Sequence, residues 1–424
     1  MTSMLARTIP SHVPTEAVFP FDLYSVSKDP RLAEDTQIGL TFLHRDAPDV
    51  FFSPENGGHW VVTRHDLMRE VLLNPARFSS AQLVVPRTAQ QSPLIPLTLD
   101  PPEHTPYRRI LMQYFAPKRI AQMEGDIRER AIRLIENVRD AGSCDFLREV
   151  GMPLPVYVFM DMMGLPVEKS AIFRAIVVEW FALPNGERRL ELAAIILGHL
   201  REVIAERRVQ PREDLITALI GESIEGRALR QDEIESMSFL LFFAGLDTVA
   251  NAAGFMIARL AQLPQLQRQL RDDPSRMEAF LAEILRMSGV VTTARLVVED
   301  CELGGRRLMK GDMVLCPLAL AGLDDRVNSD PLDFRMDRKS PSHLMFATGP
   351  HLCVGHFLAR LELRVLLQEW LRAVPEFRLD PERPREVRIG SMTALLQLGI
   401  KWSYPRGQAE DLPNRLLNAK RERR

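Results

Sequence analysis

Along much of the chain apolar residues recur with the 3.6-residue period of an amphipathic helix. In IRERAIRLIENVRDAG, Ile127, Ala131, Leu134, Ile135 and Val138 fall on one stripe, and Gly142 stands where such a helix can stop. Similar segments run from about Leu190 to Arg208 and from Leu358 to Val374. The longest begins near Gln231 and extends to Leu263, about nine turns at 3.6 residues each. Its centre, FLLFFAGLDTVANAAGFMIA, is apolar on most faces, which predicts a helix through the middle of the protein. Asp247 and Thr248 interrupt that apolar surface. Strand patterns are fewer: GGHWVVTR (Gly57 to Arg64), RLVVEDCEL with MVLCPL (Arg295 to Leu318), and the C-terminal ALLQLGIKW. Gly304-Gly305 and Lys310-Gly311-Asp312 supply turns between the middle pair. No internal repeat or low-complexity linker stands out, and the final AKRERR reads as a solvated basic tail.

Composition narrows the class without naming it. The 424 residues allow one large domain or two interlocked ones. With 46% apolar and 26% charged residues the chain can bury a sizeable core, which argues against disordered and fibrous classes. A formal net charge of −2 gives no whole-molecule attraction to nucleic acid or to an anionic membrane. The four cysteines form no CxxC pair, which disfavours a zinc site or a disulfide framework and fits a reducing compartment. The N-terminal stretch lacks a signal-peptide pattern, and no charge-free apolar run approaches the ~18 to 20 residues of a membrane span. The expectation is a soluble, cytoplasmic protein that binds neither nucleic acid nor membrane.

One segment changes the picture. FATGPHLCVGHFLARLELRVLL carries Phe346, Gly349, His351, Cys353 and Gly355 directly before an amphipathic helix. A cysteine just ahead of a helix N-terminus meets backbone N–H groups and the positive end of the dipole, which favour a thiolate. Flanking glycines let the backbone approach a large planar group and donate hydrogen bonds to sulfur. An isolated cysteine would read as one more buried thiol. The spacing F-x-x-G-x-H-x-C-x-G, however, resembles the haem loop of the cytochrome P-450 family, except that Ala347 stands where the usual loop has a second glycine.

That resemblance implies haem b, its iron held by Cys353, and insertion of one oxygen atom from O2. It extends to Glu283-Ile284-Leu285-Arg286 and Phe334-x-x-x-Arg338, the family's buried ion network. It also covers Ala244-Gly245-Leu246-Asp247-Thr248, the oxygen-activating stretch of the central helix, where Asp247 and Thr248 would relay protons. Read from the residues alone, Thr248 can instead bond back to the carbonyl at position 244 while Asp247 pairs with a buried base. His104, Arg108, Arg295 and His351 match the family's contacts to the haem propionates, which need cations and donors once buried.

The likeness spans nearly the whole chain and is greatest to the bacterial camphor-hydroxylase branch, through NGGHWVVTR, RFSS (Arg77 to Ser80), Asp100-Pro101-Pro102-Glu103, AGLDTVAN and AGLDDR. It implies a mainly α cytochrome P-450 fold in a single domain, 1–424. The large helical part is expected at about 101–290 and 356–374, and a smaller β-rich lobe at about 57–100, 291–320 and 385–403. The implied partners are a two-iron two-sulfur ferredoxin and its NADH-dependent reductase. Arg69, Arg108, Arg109, Lys118, Arg119, Arg360 and Arg364 would form a basic docking patch on the Cys353 side. A peroxide-using or non-redox haem-thiolate enzyme, or a haem sensor without turnover, are the other classes.

For the substrate, Ser92 aligns with the tyrosine that holds camphor, and Phe243 replaces a smaller aliphatic residue. With Leu94, Trp180, Phe181, Leu240, Val291 and Met392 they suggest an apolar pocket for a different small terpenoid, a monoterpenoid or an ionone-type norisoprenoid.

Overall fold

The computed structural model describes residues 9–87, 93–182 and 187–403. The helical stripes become Glu124–Arg139, Glu187–Val209 and His356–Ala373. Ile127, Ala131, Leu134, Ile135 and Val138 are all buried, and their helix packs along His356–Ala373. Gly142 takes a left-handed φ of +73°, and its carbonyl accepts a hydrogen bond from the Trp402 N–H at 2.8 Å.

The long central segment departs from the single rod that its pattern predicts. It is two helices, Gln231–Leu246 and Thr248–Gln262, joined at Asp247. Two local causes act together. The Thr248 hydroxyl donates to the Ala244 carbonyl at 3.1 Å, and Gly245 is so close to Phe159 that an added Cβ would lie 2.5 Å from the ring. By length and hydropathy the span could cross a membrane, but 78% of its most apolar stretch is buried inside the protein, so it is a core element.

The largest sheet has five strands in the order Val50–Ser53, His59–Val62, Met313–Pro317, Thr292–Val297 and Phe78–Ser79. Two of its pairings join distant parts of the chain: one is parallel, with Val314 opposite Trp60, and the other antiparallel, with Phe78 opposite Val297. Two runs that read as single strands are each divided. RLVVEDCEL gives Thr292–Val297 in this sheet and Cys301–Leu303 in a hairpin with Arg306–Leu308. ALLQLGIKW breaks at Leu398: Ala394–Gln397 pairs with Glu386–Arg388, whereas Gly399–Trp402 pairs with Phe377–Leu379 and Ser143–Asp145. The strand Ser143–Asp145 thus lies within the span expected to be helical. Apolar side chains gather into a large helical core and a smaller one around the five-stranded sheet, and Val291 packs against both.

Candidate active site

Cys353 sits in a loop that the backbone defines closely. Its N–H donates to the Phe346 carbonyl at 2.8 Å, and the Leu352 N–H donates to the Gly349 carbonyl at 3.1 Å. Gly349 has φ +71°, and a Cβ there would meet the Leu72 carbonyl oxygen at 2.8 Å, so no other residue fits without displacement. Ala347 also has a left-handed φ, +56°. This explains why glycine is the usual residue there; alanine holds the same turn under strain.

Expectation and structure part over the thiol. Burial pushes the Cys353 pKa up, outweighing the Gly355 N–H and the charges of Arg108 and Arg360. The helix terminus therefore does not make a thiolate by itself; a metal ion held at the sulfur would supply the charge that favours one. Cys353 keeps accessible surface because its sulfur faces an internal cavity rather than bulk water.

That cavity, of about 410 Å³, is lined by Cys353, Phe346, His351 and Gly355 on one side and by Ala244, Gly245 and Thr248 on the other. His104, Arg108 and Arg295 also line it. The His104 and His351 rings lie 4.5 Å apart, and the Nε2 atoms of both are buried without a hydrogen-bond partner among the described residues. Arg295 bonds the Thr293 hydroxyl at 2.9 Å and the Ala294 carbonyl at 2.7 Å, and Arg108 bonds the Leu352 carbonyl. Among the described residues neither arginine makes a carboxylate ion pair. Burial, reinforced by the neighbouring arginines, pulls His351 down to about 3. A crowd of buried donors lacking an anion fits the two carboxylates of a haem, because such groups are costly to bury unsatisfied.

Behind the Cys353 loop, Glu283 is buried and fully engaged. Arg286 donates to its two oxygens at 2.6 and 2.8 Å, and Arg338 and the Arg335 N–H each donate at 3.0 Å. Arg286 also reaches the Gly322 and Pro331 carbonyls at 2.6 and 2.7 Å, pinning the segment that leads into the loop.

On the opposite wall Asp247 is buried, and burial raises its pKa to about 6 against the lowering influence of Arg388 and Asn251. Asn251 donates to the Asp247 carbonyl at 2.8 Å.

Of the residues assigned to the substrate pocket, Leu240 and Val291 line the cavity. Leu94, Trp180, Phe243 and Met392 do not. Phe243 lies on a different stripe of the central helix from Leu240, Ala244 and Thr248; its ring packs on Trp180 and Phe239, with centroids 4.5 and 4.9 Å away. Met392 points its sulfur towards Asn251 at 3.6 Å, while its neighbour Ser391, at the bend before it, lines the cavity. Leu94 packs into the helical core, and Pro96 and Leu97 form the wall in its place. Ser92 and the Phe181 side chain lie outside the described residues.

Glu362 was not anticipated. It lines the cavity, its Oε2 has no hydrogen-bond partner among the described residues, and burial pushes its pKa up to about 8. Its polar type on an otherwise apolar helix face was the available signal.

Of the proposed basic patch, Arg69, Arg109, Lys118 and Arg119 are exposed. Arg360 is half-buried over the Phe346 ring at 4.5 Å, and Arg364 is bonded to Glu124 at 2.9 Å.

A cysteine loop facing a split helix, with an anion-seeking edge between them, defines a haem-thiolate site. A match to the family described as Cytochrome P450 covers residues 159–402. The probable cytochrome P450 127A1 of Sinorhizobium fredii is 35% identical over 93% of this chain and 97% of its own length. The linalool 8-monooxygenase of Pseudomonas putida is 29% identical over 84% of this chain and 93% of its own. The crystal structure of CYP101J2 superposes with a TM-score of 0.87 at 36% identity, covering 94% of this chain and all of that one. CYP101C1 gives 0.84 at 33%, with the same coverage. The chain belongs to the cytochrome P450 family. It is a P450 monooxygenase whose haem takes the Cys353 thiolate as its iron ligand.

Proposed function

We propose that this monooxygenase hydroxylates a small apolar terpenoid, a monoterpenoid or an ionone-type norisoprenoid, with electrons passed from NADH through a reductase and a two-iron two-sulfur ferredoxin. The observation that carries the reading is the cavity itself: above Cys353 its walls are Leu83, Val84, Leu97, Leu240 and Val291, which offer apolar contact and few polar anchors. A relative named for acting on linalool supports the terpenoid class.

Bound haem supplies O2 activation and oxidation of a C–H bond. The chain's own groups do the rest. His104, Arg108, Arg295 and His351 would hold the haem propionates at the cavity edge. The apolar wall excludes water and orients one C–H bond towards the reacting centre. Asp247 takes protons from the solvent side and Thr248 passes them into the cavity, its hydroxyl already held by the Ala244 carbonyl. Arg69, Arg109, Lys118 and Arg119 form the basic surface for an acidic ferredoxin, in a cytoplasmic setting where cysteines stay reduced.

Terpenoids screened by the low-spin to high-spin Soret shift, with product analysis of the hits, test the reading. Binding of such molecules, followed by hydroxylated product that depends on NADH and ferredoxin and weakens with salt, is the expected result. Shifts confined to large or anionic ligands would overturn it.

A further inference from the structure

The hairpin Glu386–Arg388 with Ala394–Gln397 joins the cavity to the break in the central helix. Its connecting residues hold the cavity edge: the Thr292 N–H donates to the Ser391 carbonyl at 3.0 Å, and the Thr393 N–H to the Val290 carbonyl at 2.7 Å. Within the hairpin Arg388 stands opposite Ala394, and the next residue, Leu395, donates its N–H to the Asn251 side-chain oxygen at 2.8 Å. The Asn251 amide in turn donates to the Asp247 carbonyl at 2.8 Å. One side chain thus ties the strand to the helix break, and Arg388 lies across the hairpin from that tie.

Arg388 is half-buried, and among the described residues it forms no ion pair. The carboxylate its charge acts on is that of Asp247. Phe159 packs on Gly245 beside the break, and among the described residues the groups that act on the Asp247 carboxyl are the Arg388 charge and the Asn251 amide. Its neighbour Glu386 is exposed on the strand.

We propose that Arg388 is a positioning residue for proton delivery: its guanidinium holds the buried Asp247 side chain in the ionised form from which it can collect a proton and pass it on. The inference rests on Asp247 being the relay acid. A carboxyl group buried with no opposite charge keeps its proton and transfers it poorly, whereas one held near the working pH gains and loses it readily. Thr248 supplies the hydroxyl inside the cavity, while Arg388 acts from outside it and touches neither substrate nor cofactor.

The test is a titration of the holoenzyme by infrared difference spectroscopy, following the protonated-carboxyl band that Asp247→Asn removes. The wild-type midpoint should lie near 6. Arg388→Gln should move it up by about one pH unit, and Arg388→Lys, which keeps the charge, should restore it. The pH profile of product formed per NADH should move in the same direction. Soret position should match wild type, and so should the melting temperature at a pH low enough to protonate Asp247 in both proteins; above it the variant should melt lower, because the carboxylate has lost the charge that favours it. A midpoint unmoved by Arg388→Gln would overturn the proposal while leaving Asp247 as the relay. Full coupling in Asp247→Asn would overturn the relay itself, and the role of Arg388 with it.

Discussion

On the Cys353 side of the cavity the backbone is fixed at every turn, whereas on the side of the central helices it is left open at Asp247. Gly349 is locked in a left-handed conformation, and the Cys353 N–H is bonded to Phe346. Glu283 is satisfied by two guanidinium groups and a backbone N–H. Across the cavity, Thr248 turns its hydroxyl back onto Ala244, and Asn251 closes the gap to the C-terminal hairpin.

Each side also buries an acid. Glu362 has burial alone acting on it and rises to about 8; on Asp247 the Arg388 charge and the Asn251 amide oppose burial, and it stays at about 6. The rigid wall holds the cofactor and keeps its acid neutral. The open wall keeps its acid near the working pH, which is what moving protons requires.

The largest blow to the rigid wall is Glu283→Ala. It leaves Arg286, and in part Arg338, buried without a counter-charge, at a cost of about 3–5 kcal/mol. Thermal melting and haem content should both collapse. The corresponding change at the open wall, Asn251→Ala, removes neutral hydrogen bonds at about 1 kcal/mol each and should leave haem bound.

Within the loop two neighbours sharpen the point with opposite signs. Gly349→Ala combines a left-handed φ with a Cβ pressed on the Leu72 carbonyl and should cost about 2 kcal/mol or more. Ala347→Gly relieves strain at φ +56° and should stabilise by up to about 1 kcal/mol, read as a higher melting midpoint with an unchanged Soret band.

A smaller effect separates the two acids. In the folded protein Glu362 keeps its proton up to about pH 8, whereas the unfolded chain loses it near the ordinary glutamate value. Its contribution is fully present below that ordinary value, is lost as pH rises through about 8, and is flat beyond. Glu362→Gln should remove this decline, at most about 1.4 kcal/mol per pH unit, in melting curves of the holoprotein recorded from pH 5 to 9. Parallel declines in variant and wild type would show that Glu362 is ionised in the fold.

Much of this arrangement was legible in the residues, for identifiable reasons. Cys353, His351, Gly349 and Phe346 lie in one short loop, so their spacing alone carries the geometry. The stripe from Ile127 to Val138 is a local property of one helix. What escaped depends on which way a side chain turns. Phe243 and Leu240 are both apolar on one helix, and only the packing of Trp180 shows which faces the cavity. Met392 and Ser391 are adjacent at a bend, and only the fold shows which of the two meets the cavity. The break at Asp247 needed the close approach of Phe159 to Gly245, a contact between residues far apart in the chain. Arg388 carried no signal at all, because the acid it is proposed to act on is 141 positions away and reached through a hairpin whose register the sequence does not specify.

The central claim is that the open wall delivers protons, and Thr248→Ala tests it most directly. With a terpenoid that gives the Soret shift, NADH consumed, hydroxylated product and hydrogen peroxide are measured together in the variant. The account predicts that NADH consumption continues while peroxide replaces most of the product. Product per NADH equal to wild type would contradict it.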